Sequence, residues 1–280
     1  MKIRIGHSPD SDDAFMFWGL ASGQVKSDYE FEHILRDIQT LNEWAMEGRL
    51  ESTAVSVHAF AHVADKYALL RHGGSFGEGY GPMIVARETL TDEQLGQATI
   101  AIPGKLTSAY LQLQLYFRDR FGPEARPTVE VVSFDEIIAA VLAGRYAAGL
   151  IIHEGQLTFE REGLVCLTDM GKWWQAKTGL PLPLGVNTVR KDLGEAVVAD
   201  VSRCMRESIL AGLEHRKEAL AYALRFARGM DEATSDEFVG MYVNARTLDM
   251  GEDGIRAIRL MLQMGADAGL VPEVAAEVAD

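Results

Sequence analysis

One of the seven histidines of this 280-residue chain stands where a general base is wanted. His153 follows the apolar run Leu150-Ile151-Ile152, which reads as a strand. A neutral imidazole near pH 7 can take a proton from a substrate. A histidine held by hydrogen bonds at a domain edge would show the same sequence. Glu154 is adjacent, but neighbouring strand residues point to opposite faces, so direct pairing of the two is not expected. Thr107 and Ser108 open a helical pattern behind the turn Pro103-Gly104. The first N–H groups of a helix and its dipole favour an anion such as a carboxylate. The same hydroxyls equally suit a plain helix cap. Ser56, and His7 with Ser8, also sit just after strands.

Other chemistries find less support. His58 and His62 have the i, i+4 spacing of two metal ligands, but the stretch His58-Ala59-Phe60-Ala61-His62 lacks the glutamate of HExxH. Asp10-Ser11-Asp12-Asp13 lacks the glycine and the later glutamate of a calcium loop, and a turn with a helix cap at Asp12 or Asp13 is the better reading. Cys166 and Cys204 have no CxxC or Cys/His spacing and are expected to be reduced structural thiols. No Gly-x-Ser-x-Gly elbow supports acyl transfer. Gly73, Gly74, Gly77, Gly79 and Gly81 make a loop without the order of a phosphate loop; it either runs over the surface or lines a ligand. No metal and no cofactor is expected.

The elements that must position these groups alternate. Strands are expected at 2–6, 31–35, 53–57, 82–87, 99–102, 129–132 and 147–152, with helices at 14–21, 37–47, 58–66, from about 110 to 121, and at 134–143. Beyond Gly185 the pattern is helical, at 193–213, 215–227, 235–243 and 251–264. This order implies an α/β protein with a largely parallel sheet, whose strand ends face the ligand crevice. It also suggests an insertion. Residues 1–88 and 187–280 would form one lobe and 89–186 a second α/β lobe, with a cleft between them and 82–87 and 185–190 as the crossing strands.

The chain has 27 Lys and Arg against 41 Asp and Glu, a formal net charge of −14, and a 48% hydrophobic fraction. That composition supports a full core. The charge argues against nucleic acid and anionic membranes as partners. No apolar run approaches the ~20 residues of a membrane span. MKIRIGHSPD has no apolar leader segment, so a cytoplasmic protein is expected. An anionic ligand would require a locally neutral or positive cleft, with Lys105 and Arg71 the nearest cations.

Several stretches, in order along nearly the whole chain, resemble the 1,4-dihydroxy-6-naphthoate synthase family of the futalosine route to menaquinone. They are DIQTLNEWAMEGRL (37–50), 71–74 with 79–82, PGKLTSAY (103–110), AGLIIHE (148–154), Trp173-Trp174 with TGLPLPLG (178–185), and YVNARTLDMG (242–251). The LIIHE and TGLPLPLG stretches are the specific ones. The resemblance implies a two-lobed, periplasmic-binding-protein-like (type II) fold with a ligand cleft between the lobes. It implies a cytoplasmic, cofactor-independent carbon–carbon lyase. Such an enzyme converts cyclic dehypoxanthine futalosine to 1,4-dihydroxy-6-naphthoate and releases a three-carbon sugar fragment. The substrate is a small anionic aromatic precursor. The proton acceptor of the family matches His153, and its substrate contacts match Ala54-Val55-Ser56 and Thr107-Ser108-Ala109. The chain departs from the family at the first turn. Ser8-Pro9-Asp10-Ser11-Asp12-Asp13-Ala14 stands where a Ser-Pro-Cys-Pro-Asn-Asp-Thr-like turn is common, and His7 replaces an apolar residue. Two alternatives remain: chorismate dehydratase of the same pathway, and a non-catalytic binding protein for a small carboxylate.

Overall fold

The structure is a computed structural model that describes residues 1–226 and 231–279. The last residue of the helix expected at 215–227 therefore lies outside the described residues. In chain order the strands are β1 (Lys2–His7), β2 (Glu30–Leu35), β3 (Ser52–Ser56), β4 (Tyr67–Leu70), β5 (Ser75–Gly77), β6 (Met83–Ala86), β7 (Thr99–Ile102), β8 (Thr128–Val131), β9 (Ala148–Ile151), β10 (Val165–Asp169), β11 (Leu182–Arg190) and β12 (Val278–Ala279). They form two sheets. The first has the order β12-β4-β11-β3-β1-β2, with β5 paired to β11; the second has the order β10-β6-β9-β7-β8.

Both sheets are mixed, where the sequence suggested mostly parallel pairing. β1 runs parallel to β2 and β3, and β7 parallel to β8 and β9. β11 is antiparallel to β3, β4 and β5, and β6 is antiparallel to β9 and β10. The reversed strands are those by which the chain enters the second sheet and returns from it. Ile84, Val85 and Ala86 are all buried, so β6 needs a neighbour on each side and an apolar layer on each face. It finds its neighbours within the second sheet. The connections between sheets accordingly run through 78–82 and 170–181, a few residues ahead of positions 88 and 186.

The first connection explains part of the glycine-rich stretch. A Cβ on Gly77 would stand 1.9 Å from the Tyr80 carbonyl oxygen, and one on Gly171 would stand 2.1 Å from it. Only glycine lets the backbone of Tyr80 pass there. The rest of the stretch is not an open loop, because β5 runs through it.

The first turn also differs from expectation. The chain becomes helical at Ser11–Met16 and again at Trp18–Ala21, and Asp10 holds the N-cap position without a side-chain cap bond. The carboxylate of Asp13 instead accepts the Ser8 N–H at 2.7 Å. Two helices that shape the site are capped conventionally. Asp37 accepts the Thr40 N–H to start Ile38–Met46, and Thr107 accepts the Tyr110 N–H to start Ser108–Phe121. No helix among the described residues is long and apolar enough to cross a membrane.

Candidate active site

A cleft opens between the two sheets, and most of the residues singled out in the sequence reach it. Ala54, Ser56, Thr107, Ser108, Ala109 and His153 all line it. Val55 does not. It is fully buried in the hydrophobic core, because alternate residues of β3 face opposite ways.

One wall is neutral. The side chain of Asn42, itself inaccessible to solvent, donates to Ser56 Oγ (3.0 Å) and accepts the Ser56 N–H (2.8 Å). Asn42 also reaches the Leu106 carbonyl at 3.3 Å, which fixes the turn ahead of the helix. Ser56 Oγ thus accepts from Asn42 and keeps its own proton for a ligand. Thr107 Oγ1 donates to the Gly104 carbonyl (2.8 Å) while it caps the helix. Ser108 Oγ donates across the cleft to the Leu184 carbonyl at 2.5 Å. Both hydroxyls are therefore committed to the protein. What they present is the helix start, where the N–H groups of Ser108 and Ala109 have no carbonyl within the helix to bind. His58 braces the turn from below, with Nδ1 3.1 Å from the Thr107 carbonyl. Burial pulls its pKa down to about 4, so the ring is neutral. With Nδ1 engaged in this way, His58 serves the loop, and the helical spacing to His62 has a structural explanation.

The opposite wall is acidic. Ser8, Asp10, Asp12 and Asp13 line it together with His153. His153 Nδ1 lies 3.2 Å from Oδ2 of Asp10. This pairing was not foreseen; the neighbour in sequence, Glu154, lines a separate groove. Among the described residues His153 is the only non-glycine with positive φ, at 54°. Such a backbone is costly for a side chain of this size and clusters at functional sites. The ring of Phe134 closes one side of the imidazole, with centroids 5.1 Å apart.

The expectation of a neutral or positive cleft fails on this wall. Its lining includes no Lys or Arg. Lys105 is exposed, and Arg71 lies 3.5 Å from Asp249 and 3.8 Å from Glu252. Burial, and then the nearby Asp10 charge, push Asp12 and Asp13 well above the usual carboxylate range. The wall is thus less negative than its three carboxyls suggest. His7, although at a strand end, turns away from the cleft. It stacks on Phe17 (centroids 4.2 Å apart) with Nε2 3.0 Å from His33 Nδ1, and burial holds its pKa down to about 3.

Two residues that sequence reasoning missed carry a readable signal. Asn42 is polar on the helix face that Ile38, Leu41 and Ala45 turn inward. Asp10 belongs to the turn where the chain departs from its resembled family.

Comparison with known proteins adds the following. A family model described as menaquinone biosynthesis matches residues 3–267. A protein of Thermus thermophilus named 1,4-dihydroxy-6-naphthoate synthase is 41% identical over 268 residues, covering 96% of this chain and 95% of that one. One of the same name from Streptomyces coelicolor is 37% identical over 270 residues, with the same coverage of 96% and 95%. A solved structure from Archaeoglobus fulgidus superposes with a TM-score of 0.90 at 41% identity, covering 96% of this chain and 98% of that one. At 14% identity, the alkanesulfonate-binding protein SsuA of Xanthomonas axonopodis pv. citri has a TM-score of 0.70 over 97% of this chain and 94% of its own. That likeness bears on the fold alone, which is periplasmic-binding-protein-like.

Proposed function

The chain belongs to the menaquinone biosynthesis family, and from that premise we propose that it is a carbon–carbon lyase of the 1,4-dihydroxy-6-naphthoate synthase type. Its substrate is cyclic dehypoxanthine futalosine and its product 1,4-dihydroxy-6-naphthoate. His153 is the base. With Nδ1 turned to Asp10, Nε2 is the nitrogen left to accept a proton. The carboxylate of Asp10 fixes the orientation of the ring. The Ser108 and Ala109 N–H groups, with the Ser56 hydroxyl, hold the substrate carboxylate. Loss of the proton to His153 lets the carbon–carbon bond break in a retro-aldol sense. The electron pair enters the ring, which becomes aromatic and so supplies the driving force, while the carbon on the other side of the broken bond leaves as the carbonyl of the three-carbon sugar fragment. The two halves of the cleft keep water from the reacting atoms.

The observation that carries this reading is the contact between His153 and Asp10, in the same cleft as the neutral helix start. It is tested by incubating the protein with cyclic dehypoxanthine futalosine and, separately, with chorismate, and following both by mass spectrometry. Naphthoate from the first is the expected result. Enolpyruvyl benzoate from the second would instead identify a chorismate dehydratase. Binding without turnover would identify a carboxylate-binding protein.

A further inference from the structure

The His153–Asp10 pair is drawn from both sheets. Asp10 follows β1 of the first and His153 follows β9 of the second. The imidazole meets its carboxylate from a left-handed His153 backbone, a costly conformation that its surroundings must hold.

Gln156 provides one. It is nearly inaccessible to solvent, and its amide lies 2.7 Å from the Gly81 carbonyl, 3.3 Å from the His153 N–H and 3.1 Å from the Tyr242 hydroxyl. A single orientation matches donors to acceptors. The nitrogen faces Gly81 and the oxygen faces His153; the reverse would set carbonyl against carbonyl and N–H against N–H. Each of the three partners has a different origin. His153 follows the second sheet, Gly81 lies in the segment joining the sheets, and Tyr242 ends the helix Glu232–Tyr242, which packs with the first sheet through Val239. Tyr242 is itself seated by Tyr80, whose ring meets it edge-on (centroids 5.6 Å apart) and whose hydroxyl donates to the Met241 carbonyl.

We propose that Gln156, seated by Tyr242, is a positioning residue. It holds the His153 backbone in the form that aims Nδ1 at Asp10, and so couples the approach of the two halves to assembly of the base. The proposal rests on the reading of His153 as the base.

The test uses the full-length protein with Gln156→Leu, which keeps the volume and removes the amide, and with the milder Tyr242→Phe. With cyclic dehypoxanthine futalosine, Gln156→Leu is expected to lower kcat by about 10²-fold at little cost in KM, because a misplaced catalytic group can lose that much. Tyr242→Phe should lower it less. Added to Asp10→Asn, Gln156→Leu should cost almost nothing more, because both changes undo the same alignment. Fully additive losses, or an unchanged kcat, would overturn the proposal. A second measurement needs no substrate. Nitrogen-15 NMR of the imidazoles should show His153 fixed with its proton on Nδ1 in the parent protein and averaged between tautomers in Gln156→Leu. The His58 signal, away from this contact, should stay unchanged as a check on folding. An unmoved His153 signal also overturns the proposal. Normal turnover by His153→Asn would remove the base reading instead, while the NMR result would still decide whether Gln156 sets the ring.

Discussion

The two walls of the cleft are built in opposite ways. The wall of β3 and the start of the helix Ser108–Phe121 turns no charged side chain to the cleft. Its hydroxyls are engaged by Gly104, Leu184 and Asn42, and it offers a ligand one hydroxyl proton and two backbone N–H groups. The wall at 8–13 gathers Asp10, Asp12 and Asp13, whose carboxylate oxygens come within 4.8 Å of one another. It also leaves Ser8 Oγ, Ser11 Oγ and Asp12 Oδ1 without protein partners. The contrast teaches how a chain of net charge −14 can receive an anion. Under the proposed function, neutral donors hold the substrate charge on one side, and the protein's own charge stays on the other, beside His153.

This division of labour can be broken one wall at a time. The largest effect is expected on the acidic side. Asp10→Asn should lower turnover by about 10²-fold or more while the protein still folds, since it removes the group that orients the general base. Steady-state kinetics against the parent protein read this directly, and a loss confined to KM would place Asp10 in substrate binding instead.

On the neutral side, Asn42→Leu should cost about 1–3 kcal/mol of stability, because the Ser56 N–H loses its buried acceptor. A fall in the denaturant midpoint measures it. The weakened affinity for substrate that accompanies it would tie this wall to binding.

Asp12→Asn separates charge from chemistry. In the fold, burial and the neighbouring Asp10 keep the Asp12 proton on to a higher pH than in the unfolded chain. The fold therefore binds more protons, and its stability falls as pH rises from about 4, the unfolded value, through the raised one. Asp12→Asn removes that penalty. Its melting temperature should exceed that of the parent near pH 8 and converge with it near pH 4. A difference that grew towards acid would reverse the sign and contradict the account.

The smallest effect is expected for Ser108→Ala. Losing the bond to the Leu184 carbonyl, and the longer one from the His58 N–H, should cost about 1 kcal/mol, read as roughly a fivefold rise in KM.

The walls also differ in how much of them could be read from sequence. The helix start on the neutral wall was legible because its parts are local, whereas Asn42 was not. Gly104, Thr107 and Ser108 lie within one turn, and strand followed by hydroxyl followed by helix is a pattern along the chain. The position of His153 at the cleft was legible from its place after an apolar strand. Its partner was not, because Asp10 and His153 are 143 positions apart and meet only through the packing of two sheets. Alternation on β3 could have excluded Val55 from the cleft, since Ser56 and Ala54 already took that face. The mixed pairing of both sheets was hidden for the same reason as the dyad. Strand direction is set by where the chain crosses between halves, and the crossing at 78–82 is marked only by the need for Gly77 and Gly171 around Tyr80. The cleft's charge was misjudged because net charge says nothing about which carboxylates are buried together.

The central claim is that His153, oriented across the cleft by Asp10, takes the proton. A single-turnover experiment with His153→Asn in excess of cyclic dehypoxanthine futalosine, read by mass spectrometry beside equilibrium binding, tests it most directly. The account predicts binding close to that of the parent protein and a rate about 10²–10⁴-fold lower. A His153→Asn protein that forms naphthoate at nearly the parent rate would contradict it.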